Sequence, residues 1–255
     1  MELILTDGAP RPAGPRLPRD FTGFPLLIPL FDQRDSRSRS RKILSSPVPS
    51  LGSAVGVSIQ MLAALRGLHT VGYLHRDIKP GNSTIGLPES NEIRLLYLID
   101  FGMARKYTKD DGSQHRPRAA TNFRGSPRYV AISAHLGREY SRKDDIESWF
   151  YCMIELFKGA LPWASVGDMK AIGDAKVKRE KKQPEAVRRQ AIADLLSGCP
   201  SEFGQILKYI DDMKYTDKPD YDWIIATLRS SLSNAGVHPT TGRRASATRH
   251  RALEA

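Results

Sequence analysis

Two short polar stretches constrain this chain more than anything else in it: His75-Arg76-Asp77-Ile78-Lys79-Pro80-Gly81-Asn82 and, about twenty residues later, Asp100-Phe101-Gly102. The combination rarely arises by chance, and its residue types suit one chemistry. Moving a phosphoryl group needs an acceptor for the attacking hydroxyl's proton, a cation beside the transferring group, and hard oxygen ligands for a metal ion. Asp77 fits the first role. Lys79, two residues on along an extended loop, points the same way and fits the second. Asn82 and Asp100 supply oxygens suited to Mg²⁺. A strand must deliver Asp100 to the loop that carries Asp77, and the apolar run 93–99 reads as that strand, paired with 83–86 around the polar turn Glu89-Ser90-Asn91-Glu92.

The rest of the chain reads as mainly helical. Residues 1–50 carry recurrent prolines and no sustained period, so they resist both helix and sheet and are expected to be disordered. Within them, Arg34 to Lys42 reads as a disordered basic linker, with a nuclear-import or RNA-contacting arginine-serine run as the alternative reading of the same residues. The spacing of Val55, Ile59, Leu62, Leu65 and Leu68 predicts a helix over 54–70 with one apolar stripe. Residues 103–140 have no period and read as one long functional loop. Ile146 to Phe157 is apolar nearly all round and predicts a helix in the middle of the domain. Further helices are predicted at 185–197, 201–211 and 221–232, the last capped by Asp220, with a basic disordered tail over 233–255.

Four segments resemble the casein kinase 1 group of serine/threonine protein kinases, and within it the tau-tubulin kinase branch. They are Tyr73 to Asn82; Asp100 to Tyr107; Phe123-Arg124-Gly125-Ser126-Pro127-Arg128-Tyr129 with the stretch from Ala134 to Ser148; and Lys218-Pro219-Asp220-Tyr221. Most kinases carry A-P-E at the end of the activation segment, where this chain has Ala131-Ile132-Ser133, near the S-I-N of that group. The resemblance covers roughly 52–232 and implies a mainly α-helical kinase C-lobe (α+β, protein-kinase-like) with a small β-hairpin over 51–232. It implies transfer of the ATP γ-phosphate to protein serine or threonine, with ATP and Mg²⁺ as cofactors. Asp77 is then the base or orienter, Lys79 the phosphate partner, and Asn82 and Asp100 the metal ligands. His75, Arg76 and Asp145 support the site, with Asp145 accepting hydrogen bonds from the loop backbone. Thr84 sits where many kinases place a leucine under the adenine. Arg128 matches an arginine that in this group binds an anion near the substrate groove, which favours acidic or already phosphorylated protein substrates.

The chain also departs from that group. Residues 1–74 contain no glycine-rich phosphate loop and no V-A-I-K-like lysine, so the small N-lobe is expected to be missing. The expected consequences are weak nucleotide binding, an exposed apolar top that a partner would cover, and, as the alternative function, a non-catalytic pseudokinase or scaffold. The net charge of +11 favours anionic partners. Lys176, Lys178, Arg179, Lys181 and Lys182 either extend a basic substrate surface or form a solvated charged face. Cys152 and Cys199 give no disulfide framework, and Phe24 to Phe31 is too short to span a membrane, so a cytoplasmic or nuclear compartment is expected.

Overall fold

The computed structural model describes residues 48–86, 92 and 94–237. The proline-rich segment up to 47, most of the 89–92 turn and the tail from 238 lie outside the described residues.

The apolar stripe near residue 60 becomes helix α1, Leu51–Thr70, opened by Ser50, whose hydroxyl accepts from the Ser53 N–H. Val55, Leu62, Leu65 and Leu68 are fully buried, while Ile59 is half-buried and Ser58 takes its place against the core. Ser58 can do so because its hydroxyl donates to the Ala54 carbonyl (2.7 Å) and its carbonyl accepts from Trp149 Nε1 (2.8 Å). Trp149 belongs to the apolar helix of the domain centre, which runs over Arg142–Lys158. It begins four residues before the apolar run because Ser141 and Asp144 form a capping box, an N-terminus that hydrophobic periodicity does not register. From Asp144 to Leu156 every one of its residues is buried. Each of its large apolar side chains contributes about 1.5–3 kcal/mol by leaving water.

The remaining helices surround this axis. A single turn, α2, spans Ile132–His135, so the central helix is α3. Next comes α4, Met169–Val177, which the sequence pattern missed. Its charges interrupt any apolar period, and Gly173 lowers its helix propensity. That glycine admits a close neighbour: a Cβ there would stand 2.8 Å from His135 Nδ1. Three helices follow, α5 over Glu185–Leu196, α6 over Ser201–Asp212 and α7 over Tyr221–Asn234. Phe203, Ile206, Leu207 and Ile210 of α6 face the core at helical spacing, and Asp220 caps α7 by accepting from the Trp223 N–H (2.9 Å).

Two small antiparallel ladders position the polar loops. Strand β1, Tyr73–Leu74, pairs with β4, Arg105–Lys106, and β2, Ser83–Ile85, pairs with β3, Leu96–Leu98. The hairpin is shorter than predicted, and the β1–β4 pair was not predicted, because two residues carry no readable alternation. The ladders are nested. The loop 75–82 lies between β1 and β2, and the loop 99–104 lies between β3 and β4, so both ends of one loop are tied to both ends of the other. The Ile99 N–H donating to the Asn82 carbonyl (2.9 Å) continues the tie into the loops.

Candidate active site

Asp77 is buried in the first loop, and both of its carboxylate oxygens are engaged. Oδ2 accepts from Lys79 Nζ (2.6 Å) and Asn82 Nδ2 (3.1 Å); Oδ1 accepts from the N–H (3.0 Å) and hydroxyl (2.8 Å) of Ser126. Burial pushes this carboxyl up, but hydrogen bonds from Lys79, Ser126 and Asn82 outweigh it and hold the group below its ordinary range. Asp77 is therefore a carboxylate and an acceptor at neutral pH. Lys79 Nζ also donates to Ser126 Oγ (3.0 Å), so aspartate, lysine and a serine hydroxyl form a closed triangle.

The loop holds this shape because of a residue far along the chain. Asp145, at the start of α3 and fully buried, accepts from the N–H of His75 (2.8 Å) and of Arg76 (2.9 Å). Its Oδ2 also bonds His69 Nε2 (2.9 Å), and His69 Nδ1 bonds the Tyr221 hydroxyl (2.6 Å). Burial raises the Asp145 carboxyl, yet the bonds from His69 and His75 bring it below the usual carboxylate value. Burial moves His75 the other way, towards the neutral ring, while its Nε2 lies 3.2 Å from the Ile99 carbonyl of the second loop.

Both loops carry a residue in the left-handed region, Arg76 at φ 66° and Asp100 at φ 64°. Such conformations cost on the order of 1–3 kcal/mol each and persist where surrounding bonds over-determine them. Arg76 is held by Asp145 and by its own Nε donating to the Met103 carbonyl (2.7 Å), and Asp100 by accepting from the Gly102 N–H (3.3 Å).

The donors that would serve a metal are hard oxygens. Asn82 donates through Nδ2 to the Asp77 carbonyl (2.9 Å) and carboxylate, which leaves its amide oxygen free of hydrogen bonds among the described residues. Asp100 is exposed beyond its bond to Gly102. An amide oxygen and a carboxylate on facing loops suit Mg²⁺ in kind, and Asn82 and Asp100 are the residues that would hold it. Thr84 is buried in β2, its hydroxyl 3.4 Å from the Ile85 carbonyl.

The segment after Gly125 forms the other wall. Gly125 sits at φ +100°, and a Cβ there would lie 2.9 Å from the Arg76 carbonyl, so only glycine lets the segment pass the loop. Arg128 donates through Nη2 to the Ala164 carbonyl (2.8 Å), with Nη1 3.4 Å from Glu155, and 41% of its side chain remains exposed. The segment's far end is anchored by Glu147, whose Oε1 accepts from the Ile132 N–H (3.2 Å), Tyr151 hydroxyl (2.8 Å) and Arg179 (2.7 Å). Arg179 also pairs with Asp211. Burial raises the Glu147 carboxyl, and Lys143 and Arg179 overcome this to bring it down to about 2.

The five basic residues from Lys176 to Lys182 do not share one surface. Lys176 and Arg179 are buried, at 1% and 4% exposure, and serve the interior, whereas Lys178, Lys181 and Lys182 are exposed. Both buried cations project from the inward side of α4 or just beyond it, a side that could not be recognised while the helix itself was unseen. Sequence reasoning also missed His69, Ser126 and Glu147. Ser126 and Glu147 lie inside segments that carry the family resemblance, and His69 is a lone polar residue at the end of the α1 stripe.

Comparison with known proteins agrees with this geometry. Residues 41–213 match the family model described as protein kinase domain. The chain is 36% identical over 192 residues to a probable serine/threonine-protein kinase of Dictyostelium discoideum, covering 75% of the chain and 36% of that protein. It is 39% identical over 176 residues to the serine/threonine-protein kinase spe-6 of Caenorhabditis elegans, covering 68% and 44%. It is 37% identical over 188 residues to the casein kinase I homolog RAG8 of Kluyveromyces lactis, covering 73% and 34%. The chain thus spans less than half the length of each of these relatives.

Proposed function

The chain belongs to the protein kinase family, and on that footing we propose that it transfers the γ-phosphate of ATP to serine or threonine hydroxyls of proteins, as a catalytic lobe of the casein kinase 1 type. One observation carries the reading. A serine hydroxyl, that of Ser126, already donates to Asp77 while accepting from Lys79. A substrate hydroxyl needs the same two partners: a carboxylate to receive its proton and a cation beside the oxygen that meets the phosphoryl group. Asp77, held as a carboxylate, orients the nucleophile. Lys79 offsets charge on the group in transfer. Asn82 and Asp100 would hold Mg²⁺, which supplies neutralisation of the phosphate oxygens.

The casein kinase 1 assignment draws on the relatives' names and on the Ala131-Ile132-Ser133 end of the activation segment. There Glu147, on α3, accepts from the Ile132 N–H and from Arg179. The tau-tubulin branch is the finer placement suggested by the motifs. Arg128, with its exposed edge, is the residue that would read an acidic or phosphorylated side chain on the substrate.

The second reading is a scaffold that binds substrates without transferring phosphate, favoured by the lack of a glycine-rich loop and strand lysine in residues 1–74. A thermal-shift titration with Mg-ATP separates the two, run beside Asp100→Asn. A rise in melting temperature that the variant loses, together with phosphate transfer that Asp77→Asn loses, supports the kinase. No shift at millimolar nucleotide sinks it in favour of the scaffold.

A further inference from the structure

Lys176 is a buried cation. It is 1% exposed, in the last turn of α4, and no carboxylate lies within ion-pair distance of it among the described residues. Its Nζ instead donates to the carbonyls of Pro127 (2.8 Å) and Val130 (2.6 Å). It also stands 4.7 Å from the ring centre of Tyr151 and 5.1 Å from that of Trp163. Trp163 in turn donates through Nε1 to the Arg128 carbonyl (2.8 Å). Burying a cation without a counter-ion is costly, and an apolar residue of the same length would serve packing better. What the cation gains is position: it gathers two carbonyls of the segment whose first residue, Ser126, is bonded to Asp77.

We propose that Lys176 is a positioning residue for residues 126–130, its ammonium, seated over the Tyr151 and Trp163 rings, holding the Pro127 and Val130 carbonyls so that Arg128 is presented to the substrate groove. The substrate role of the segment rests on the kinase reading; the clamp itself does not.

The clamp should respond to pH. Burial lowers the Lys176 ammonium to about 7. The groups around it are Glu147, Tyr151 and Cys152 from α3, Arg179 beyond α4, and His135 from α2. Glu147 titrates at about 2 and His135 at about 4, while burial drives Cys152 and Tyr151 well above their ordinary values, so near neutrality Lys176 is the member of this group that changes charge. The unfolded chain keeps this proton up to the ordinary lysine range, so between about 7 and 10.5 the fold as a whole gains stability from this group as pH rises. The clamp goes the opposite way. A three-donor cation over two rings becomes a weaker two-donor amine, so the segment is tied most firmly below about 7.

The test is hydrogen–deuterium exchange of the 123–132 region in the full chain, one pH unit either side of that midpoint and corrected for intrinsic exchange. Neither ATP nor substrate is present. The parent should lose protection of the segment by about tenfold on the alkaline side. Lys176→Met, which keeps the length without the head group, should be unprotected at both pH values. Lys176→Arg, which stays charged, should be protected at both. Equal protection in parent and methionine variant below the midpoint, or a parent that does not respond to pH, overturns the proposal. Should the methionine variant not fold, the parent's pH response and the arginine variant decide it. A chain with this exchange pattern but no phosphate transfer refutes the kinase reading and leaves the clamp standing.

Discussion

Asp145 and Glu147 stand two residues apart on α3, both fully buried, and each holds one wall of the site. They do so with different partners. Asp145 is met by N–H groups, two from the loop backbone and one from the His69 ring. Glu147 is met by Arg179 and Lys143, with a tyrosine hydroxyl and a single backbone N–H. Backbone donors have fixed directions, so a carboxylate that accepts two consecutive N–H groups dictates the shape of the chain that presents them. Cations on long side chains hold strongly but dictate less. The loop that carries Asp77 is shaped; the end of the segment after Gly125 is tethered.

The largest effect expected is on chemistry. Asp77→Asn should lower phosphate transfer by about 10²–10⁴-fold while the exchange protection of the 126–132 segment persists, measured by steady-state kinetics and hydrogen exchange. Retained transfer would remove Asp77 from its role and the shaped wall from its purpose. Next is Glu147→Gln, which strips Arg179 of its fully buried partner and should cost about 3–5 kcal/mol in urea unfolding at neutral pH. The folded-state carboxyl sits at about 2 against 4.5, so its contribution is complete above 4.5 and is lost as pH falls through about 2. The deficit of the glutamine variant should therefore shrink with acidification, and a deficit independent of pH would show that the tether is not ionic. Asp145→Asn should cost about 1–3 kcal/mol, since the amide sets a donor against an N–H. Its signature is a fall in transfer larger than the fall in stability, with exchange rising at the His75 and Arg76 amides. Equal losses in both would make the two walls alike. The smallest effect is a control outside both: Asp220→Ala removes the α7 cap at about 1 kcal/mol and should leave both walls unchanged in exchange.

The shaped wall was more legible in the sequence than the tethered one. Asp77, Lys79, Asn82 and Asp100 lie in two short motifs, and the resemblance supplied Asp145 as their support. The central helix announced itself through its continuous apolar run, whereas its start depended on the Ser141–Asp144 capping box. The tether depends on residues that lack a local signature. Arg179 and Lys176 look like part of a solvated basic stretch, because burial is decided by α4, and α4 is hidden by Gly173 and by charges that break its period. His69 is similar: one histidine at the end of an apolar stripe gives no sign that its two ring nitrogens join Tyr221 to Asp145 across the core. The β1–β4 ladder, two residues a side, is too short for alternation to be read at all.

That nested pair of ladders also says where the chain tolerates added length. The β2–β3 ladder has its Ser83–Leu98 pair next to the polar loops and its Ile85–Leu96 pair at the other end. A reporter peptide grafted between those two residues would lengthen a connection whose closure entropy grows only slowly with length. It would leave the spacing of Asp77 and Asp100 to the registers below it. The same graft in 75–82 or 99–104 would pull against two ladders at once, so added length belongs beyond the Ile85–Leu96 pair rather than in either polar loop.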